Sequence, residues 1–409
     1  MSSIVTKMRE GTWIQPDLLS FAVKFALAAY VLAFVAVILV PNPYHVPTGS
    51  VLLTDFLSFW AAAREALVGM PASPYDTAAF QAYQTSLSGD PAAFFSFLYP
   101  PTFLLLVLPF GMTGFVTAFV AFSLAGLALF LPAMRAIIGT WRHAVAMLAA
   151  PMVINTLLHG QNALVSAGLL GLALVAMERR RHFLTGLLIG LLTYKPQLGL
   201  MIPVALLAAW DWRAIFGAAV SAVLFALASL AAFGVEPWLA FFAQAHLGTE
   251  ILENGWVEWG KMVSVYSAAR VLGLSSAVAW VCQGAAFVVA VIAVAVVWWR
   301  VRDFTARVCV LIAAGLLATP FALTYDLTVL LVPAAFLIRD VSSRGGLPWE
   351  VTGLALVVNL GAVTGGFGLY LGLPVAPLLV CIVLALGLAR AKEKEADQPA
   401  AASPASGTS

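Results

Sequence analysis

"LLSFAVKFALAAYVLAFVAVILV", residues 18–40, indicates the fold class of this chain. A helix that crosses a bilayer needs about 20 apolar residues, and this run meets that length with a single charge, Lys24. Lys7 and Arg9 precede it. A cleaved signal peptide has an apolar region of only about 7–15 residues, so the run is predicted to be a retained first span.

Composition extends this interpretation to the rest of the chain. The 409 residues have a mean hydropathy of +0.98. Only 10% of them are charged, whereas soluble domains have about 25%. The net charge of +2 is too small to indicate a nucleic-acid partner. The sequence therefore predicts an all-α, polytopic integral membrane protein.

The three cysteines and five histidines give no metal-binding pattern. Cys282, Cys309 and Cys381 all lie in apolar runs, where a thiol behaves as a small apolar side chain. We therefore expect no disulfide, no metal and no other cofactor.

The basic residues predict the topology, because positive charge collects in cytoplasmic loops. Most of the 21 Lys and Arg residues fall into clusters, and placing every cluster in the cytoplasm predicts about 10–13 transmembrane helices. These would form one domain over residues 1–390, with 41–111 and 234–262 outside. The small, polar segment 391–409 is predicted to be a disordered cytoplasmic tail. The clusters are Lys7/Arg9, Arg135/Arg142, Arg179–Arg181, Arg213, Arg300/Arg302/Arg307, Arg339/Arg344 and Arg390/Lys392/Lys394.

Several apolar segments are too short to span a bilayer. "FLYPPTFLLLVLPFG" (97–111) is predicted to be a re-entrant or interfacial helix on the outer face. The runs 183–194 and 198–210 are also short, which would place the turn "YKPQ" (194–197) below the outer surface. Re-entrant backbone is tolerated only where protein or a water-filled cavity covers it, so these segments predict a cavity.

Polar residues near membrane depth gather on the predicted outer side. Because ionisable groups at that depth usually line a functional pathway, they form the candidate site. The membrane is taken to be a bacterial-type inner membrane, with the site facing the periplasm or exterior. The residues are Asp55, Asp76, Tyr99, Gln161, Asn162, Lys195, Arg270 and Asp326.

Five stretches together resemble glycosyltransferase family 87, which belongs to the C-type superfamily of membrane-embedded glycosyltransferases. The resemblance covers most of the chain up to residue 390. It is found in "DFLSFWAAAREALVGMPASPYD" (55–76), "YPPTFLLLVLP" (99–109), "HGQNA" (159–163), "YKPQLGLMIPVALL" (194–207) and "KMVSVYSAARVLG" (261–273).

The resemblance implies transfer of a hexose, mannose-like, from a polyprenyl-phosphate donor to an acceptor hydroxyl on a lipid or glycan. It also implies that Asp55 acts as the general base in an inverting single displacement. The chemistry agrees, because a phosphate leaving group needs nearby positive charge rather than a protonating acid. One carboxylate and cations then suffice, without the paired carboxylates of glycoside hydrolysis. Membrane lipid would surround the enzyme.

The carboxylates each have a second interpretation. An acid in the first turn of a helix, as Asp55 would be, also suits the helix dipole, and the two roles are compatible. Asp76 follows a Pro-Tyr turn and could be an ordinary loop carboxylate. Asp326 could orient sugar hydroxyls at the outer end of a span.

The other candidates also remain open. Lys195 could bind the donor phosphate or be a snorkelling lysine. Arg270 could make a bidentate phosphate contact or anchor the chain at the interface. Gln161 and Asn162 suit sugar hydroxyls, but they could instead cap a turn between two helices. Tyr99 belongs to the same outer face.

Two other function classes fit a polytopic chain. A transporter or lipid flippase would share the spans and buried polar groups. However, no inverted repeat is evident, and polar residues lie on one face rather than along a path through the midplane. The other class is a non-catalytic scaffold.

Overall fold

The computed structural model describes residues 2–39, 54–89 and 94–396. In this part of the chain, the regular structure is helical apart from one isolated antiparallel bridge between Met262 and Leu323. The predicted all-α class is confirmed. The last residue of the predicted first span (40), parts of the predicted outer loop (41–53 and 90–93) and part of the predicted tail (397–409) lie outside the described residues.

Short 3-10 turns interrupt many of the helices. These turns are Ser73–Tyr75, Leu108–Met112, Met147–Ala149, Leu192–Tyr194, Pro196–Gly199, Trp259–Lys261, Thr324–Leu330 and Gly361–Val363. The α-helices are α1 (Ser2–Glu10), α2 (Pro16–Ile38), α3 (Thr54–Leu67), α4 (Thr77–Ser88), α5 (Pro101–Val107), α6 (Phe115–Ile138), α7 (Trp141–Ala146), α8 (Pro151–His159), α9 (Ala163–Glu178), α10 (His182–Leu191), α11 (Ile202–Ala208), α12 (Trp212–Phe233), α13 (Glu236–Ala243), α14 (Ala245–Asn254), α15 (Val265–Val271), α16 (Ser276–Arg300), α17 (Phe304–Ala318), α18 (Leu331–Arg344), α19 (Glu350–Leu360), α20 (Thr364–Leu371) and α21 (Val375–Ala396).

Six of the described helices are long and apolar enough to cross a membrane: α2, α6, α12, α16, the continuous α19–α20 segment and α21. Shorter apolar helices cover 101–112, 163–178, 182–194, 196–208 and 304–318. The chain is therefore a polytopic membrane protein. Many of the predicted spans are short helices, as the interrupted apolar runs indicated.

Close backbone contact between α10 and α12 depends on small residues. Gly186 and Gly190 lie one turn apart on α10. A Cβ atom on Gly186 would lie 2.1 Å from the Ala214 carbonyl oxygen, and one on Gly190 would lie 2.5 Å from that of Ala218. Without a hydrophobic driving force in lipid, helices associate through such tight contacts.

The helix α3, within the predicted outer loop, lies inside the protein. Residues 56–63 of α3 are buried, and α3 packs against α5 and the 3-10 turn after it. A Cβ atom on Gly111 of that turn would lie 2.9 Å from the Ala63 backbone. Towards the C-terminus of the chain, α21 continues to Ala396, so the predicted start of the tail at residue 391 falls within a helix.

Two polar regions lie at opposite ends of the same buried helices. Helix α9 begins next to Asn162 and ends at Glu178. Its 16 residues give it a length of about 24 Å. The first region, the site pole, comprises Asp55, His159, Gln161, Asn162, Lys195 and Asp326. The second, the arginine pole, comprises Glu178, Asp303, Arg339, Asp340, Arg344, Glu350 and Arg390.

Candidate active site

Asp55 is the second residue of α3 and is half-buried. Its carboxylate accepts a hydrogen bond from the side chain of Gln161. Gln161 Oε1 in turn accepts from the Tyr99 hydroxyl at 3.4 Å. Asp55 is therefore linked to two other candidates predicted from distant parts of the chain.

Gly160 brings these residues together. It ends α8 in the left-handed conformation, with φ of 65°, which glycine adopts without strain. A Cβ atom at this position would lie 2.3 Å from the Phe56 Cβ atom. The turn between α8 and α9 can therefore press against the start of α3 only because residue 160 has no side chain.

Lys195 lies at the centre of the site pole. Pro196 interrupts the helical run directly after it, so Lys195 sits between two 3-10 turns. Its side chain is only 2% exposed. The Nζ atom donates to Asn162 Oδ1 at 2.9 Å and to Asp326 Oδ1 at 2.5 Å.

Asp326 is held in place by the backbone around it. It lies in the first turn of the 3-10 segment Thr324–Leu330, and its Oδ2 atom accepts from the Leu323 backbone amide at 3.1 Å. Leu323 is in turn bridged to Met262, and the Val263 amide donates to the Ala322 carbonyl at 2.9 Å. The Asp326 carboxylate is thus fixed on both oxygens.

Aromatic rings enclose the lysine. Its Nζ atom lies 5.5 Å from the centroid of the Tyr325 ring and 6.0 Å from that of Tyr99. Tyr99 stacks on Phe103 with centroids 4.3 Å apart. A cation near ring faces gains from their quadrupoles, so the ammonium is stabilised from several directions.

The electrostatic surroundings raise the pKa of Asp55 above its ordinary value. Burial is the main cause, and the nearby Asp326 carboxylate adds to it; His159, the Gln161 hydrogen bond and Lys195 oppose it. A proton acceptor works best when its pKa approaches the working pH. The shift therefore makes Asp55 a better base than an exposed aspartate.

Several groups at the site pole have unused hydrogen-bonding capacity. An ammonium has three N–H donors, and Lys195 uses two of them on Asn162 and Asp326. Asn162 Nδ2 is buried and lacks an acceptor of hydrogen-bond geometry among the described residues. Among the described residues, no cation lies within ion-pair distance of Asp55. Oxygen-rich ligands could use these donors.

Two candidates are not brought into this cluster. Asp76 is exposed and caps α4, accepting from the Ala78 and Ala79 amides at 3.0 and 3.1 Å. Arg270 lies 4.3 Å from the Trp259 ring centroid and donates to the Leu274 carbonyl. Neither makes an ion pair or hydrogen bond with the site pole within the described ranges. The loop and anchor interpretations fit them better.

The structure adds residues that sequence reasoning did not select. His159 acts electrostatically on Asp55, and its ring centroid lies 6.1 Å from that of Tyr325. Thr156 and Thr328 share a buried 2.7 Å hydrogen bond beneath the site. His159 belongs to the "HGQN" run, which could have indicated it, whereas the two threonines have no sequence signal.

The described residues contain no group of three or more His, Cys, Asp or Glu side chains that could hold a metal ion. The basic group that the site does contain, Lys195, can instead provide positive charge. The expectation that no cofactor is needed stays a prediction.

Comparison with known proteins gives one match. The model for glycosyltransferase family 87 matches residues 97–320, which is more than half of the chain. This range contains Tyr99, Gln161, Asn162, Lys195 and Arg270, while Asp55, Asp76 and Asp326 lie outside it. None of the curated proteins and none of the solved structures matches the chain.

Proposed function

Because the chain belongs to glycosyltransferase family 87, we propose that the site pole is its active site and that it transfers a sugar from a polyprenyl-phosphate donor to an acceptor hydroxyl. Family membership makes the chain a membrane glycosyltransferase and favours an enzyme over a transporter or a scaffold. The donor, the mannose-like hexose, the lipid or glycan acceptor and the mechanism belong to the proposal.

The observation that carries the proposal is the pairing of two unlike groups. Asp55 is a carboxylate without a cationic partner in the described chain, hydrogen-bonded to Gln161. Lys195 is a buried ammonium with one N–H donor left over. A base and a cation in one site are the two groups that displacement from a sugar phosphate requires.

The proposed reaction is a single displacement. The acceptor oxygen forms a bond to the anomeric carbon as its proton passes to the Asp55 carboxylate. The bond from that carbon to the phosphate oxygen breaks, and polyprenyl phosphate leaves with the electron pair. Attack opposite the leaving group inverts the anomeric centre.

Lys195 would stabilise the phosphate as its charge grows. Its third N–H donor and the Asn162 Nδ2 donor are both free to bind phosphate or sugar oxygens. Preorganised donors in a dry site are worth more than in water. Asp326, held by Lys195 and Leu323, orients the lysine.

We further propose that the site pole faces the periplasm or exterior of a bacterial-type inner membrane. Support comes from the arginine pole, where Arg339, Arg344 and Arg390 gather at the opposite helix ends, as expected of the cytoplasmic side. In a cysteine-free background, Thr77→Cys should react with an impermeant thiol reagent in intact cells. Ser343→Cys should react only after lysis, and the reverse pattern would contradict this orientation.

The decisive experiment compares two exchanges of Asp for Asn. Purified Asp55→Asn and Asp76→Asn proteins are assayed for sugar transfer from a polyprenyl-phosphate mannose donor to the lipid-extract acceptor that the wild type uses. Removing a general base costs about 10²–10⁴-fold in rate, so Asp55→Asn should fall by that factor while its melting temperature is kept.

Asp76→Asn is the matched control, because asparagine also caps a helix and Asp76 lies apart from the site pole. It should retain at least half of the activity. A folded Asp55→Asn enzyme with near-normal turnover would remove Asp55 from the reaction. If the wild type uses a sugar nucleotide and ignores the polyprenyl phosphate, the donor assignment is wrong.

A further inference from the structure

A cavity of about 590 Å³ opens at the arginine pole, away from the candidate active site. It is lined by the end of α9 with Arg180, by the turn between α11 and α12 with Trp210 and Arg213, and by Arg307 near the start of α17. Because α9 extends from the site pole to this cavity, the two lie about 24 Å apart. The cavity, which we name the arginine cavity, is thus a separate site.

The cations in this cavity lack carboxylate partners. Arg180 and Arg213 are exposed, and neither makes an ion pair within the described part of the chain. Arg307 is half-buried; its Nε atom donates to the Val301 carbonyl at 2.6 Å and its guanidinium lies over the Trp298 ring. Its remaining N–H donors have no acidic partner among the described residues.

The two acidic residues that line the cavity are already engaged. Glu178 is held by both terminal nitrogens of Arg339, at 2.8 and 2.9 Å. Asp211 lies 2.6 Å from His182 Nδ1 and caps α12 through the Ala214 amide. The cavity therefore keeps an excess of positive charge that is available to a ligand.

Backbone strain is concentrated at the same place. Three non-glycine residues have a positive φ in the described chain, and two of them, Arg180 (57°) and Trp210 (53°), line this cavity. Such strained residues persist where surrounding structure fixes them, often at ligand sites. Here the two strained residues, a cation and an aromatic ring, line one cavity.

The rim of the cavity has the character of a membrane interface. Trp210 and Trp212 are 70% and 55% exposed, and their ring centroids lie 6.0 Å apart. Tryptophan collects at the level of lipid headgroups. On the neighbouring helices, Phe183 and Phe216 are also exposed, as expected of side chains that face acyl chains.

We propose that the arginine cavity binds the phosphate group of an anionic membrane lipid. Arginine matches phosphate oxygens with paired N–H donors, and basic pockets between membrane helices bind anionic headgroups. The volume is large enough to admit a phosphate-bearing headgroup, and the exposed tryptophans at the rim favour a lipid as its source. The proposal does not depend on the reaction assigned to the site pole.

The test uses two double variants with the same change in charge. Arg180→Gln/Arg213→Gln removes two cavity arginines. Arg179→Gln/Arg181→Gln removes their exposed neighbours, which do not line the cavity. Binding of phosphatidylglycerol and of phosphatidylcholine to purified protein in neutral detergent is measured by native mass spectrometry, with inorganic phosphate as a competitor.

The wild type should bind phosphatidylglycerol in preference to phosphatidylcholine. Each lost arginine contributes about fivefold, so the cavity variant should bind phosphatidylglycerol roughly 25-fold more weakly. Arg180→Lys/Arg213→Lys should recover part of the affinity. The control double variant should stay close to wild type.

Equal weakening in both glutamine double variants would show a diffuse charge effect and overturn the proposal. Binding of phosphatidylcholine to the wild type as tightly as phosphatidylglycerol would also overturn the proposal. If inorganic phosphate binds with the same affinity as the lipid, the cavity is a site for a soluble phosphate instead. Melting temperatures of all variants identify any loss that comes from misfolding.

Discussion

The two poles of the molecule both bury ion pairs, but they differ in how completely those pairs are satisfied. At the arginine pole, Arg390 is 1% exposed and binds Glu350 with Nε and Nη2 at 2.8 and 2.7 Å. It also donates to Gly345 and Glu393. Lys195, at the site pole, has one donor unused and lies beside Asn162 Nδ2, which lacks an acceptor.

This difference separates structural from functional burial of charge. Nearly all buried polar groups in proteins are hydrogen-bonded. The buried ions of the arginine pole follow that rule, because Asp303 and Asp340 are both paired with Arg344, in addition to the Arg390–Glu350 pair. Unused donors are costly in a dry site. They are tolerable at the site pole if a ligand completes them in the working state.

Among the variants that compare the two poles, the largest effect is expected from neutralising the Lys195–Asp326 pair of the site pole. Lys195→Met alone leaves Asp326 buried without a partner, so we pair it with Asp326→Asn, which keeps an acceptor for Leu323. The double variant should fold, yet lose about 10²–10³-fold in turnover, because an electrostatic donor to the phosphate is gone. Sugar transfer and thermal melting are measured on the same preparation.

A double variant that melts normally and works normally would make the site pole structural, like the arginine pole. Asp326→Asn alone is the control for the carboxylate.

The matching experiment at the arginine pole should affect folding and not chemistry. Arg390→Met leaves Glu350 buried and uncompensated, which costs about 3–5 kcal/mol. Arg390→Met/Glu350→Gln should recover most of that stability. Turnover per folded molecule should stay near wild type in both, as measured after removal of aggregated protein.

A large loss of turnover in a well-folded Arg390→Met/Glu350→Gln protein would contradict the division between the poles.

A smaller effect is expected at Gly160. An alanine at this position would have to adopt the left-handed conformation, which costs about 1–2 kcal/mol. Its Cβ atom would also clash with the Phe56 Cβ atom. Gly160→Ala should lower both stability and activity, because relieving the clash would move the turn between α8 and α9 away from α3 and separate Gln161 from Asp55. Gly372→Ala has nearly the same φ, 64°, with no atom within 4 Å.

Gly372→Ala should therefore show the strain alone, with activity per folded molecule unchanged. Equal activities in the two variants would mean that the contact with α3 does not position Asp55.

The smallest effect concerns pH. The positively charged form of His159 lowers the pKa of Asp55, although burial keeps that pKa above its ordinary value. Without the imidazolium, the carboxylate is harder to form, so the acidic limb of the kcat/KM profile should move to higher pH in His159→Gln. Rates on the alkaline side of that limb should not change.

His246→Gln is the control, because His246 is exposed and its ring hydrogen-bonds to the Ala243 carbonyl, away from Asp55. A limb that does not move in His159→Gln, or moves equally in both variants, would contradict the electrostatic link.

The sequence predicts most of the residues that the fold brings together at the site pole. It places Asp55, Gln161, Asn162, Lys195 and Asp326 on one face, because polar residues at membrane depth are expensive and topology assigns them a side. Their roles stay predictions. The same reasoning could not exclude Asp76 and Arg270. They share the predicted side, and only packing separates a capping or anchoring residue from the cluster.

Hydropathy and charge alone determined that this chain is a helical membrane protein, because the cost of leaving backbone groups unpaired in lipid permits few alternatives. The meeting of Asp55 with Gln161, and of Lys195 with Asp326, was decided only by tertiary structure. Residues 195 and 326 are far apart in sequence, and their contact depends on a proline-interrupted turn and a 3-10 segment. The contact of Gln161 with Asp55 depends on a glycine, Gly160, that admits Phe56. Periodicity carries no information about such contacts, since close packing between helices, not the pattern within one, fixes which side chains touch.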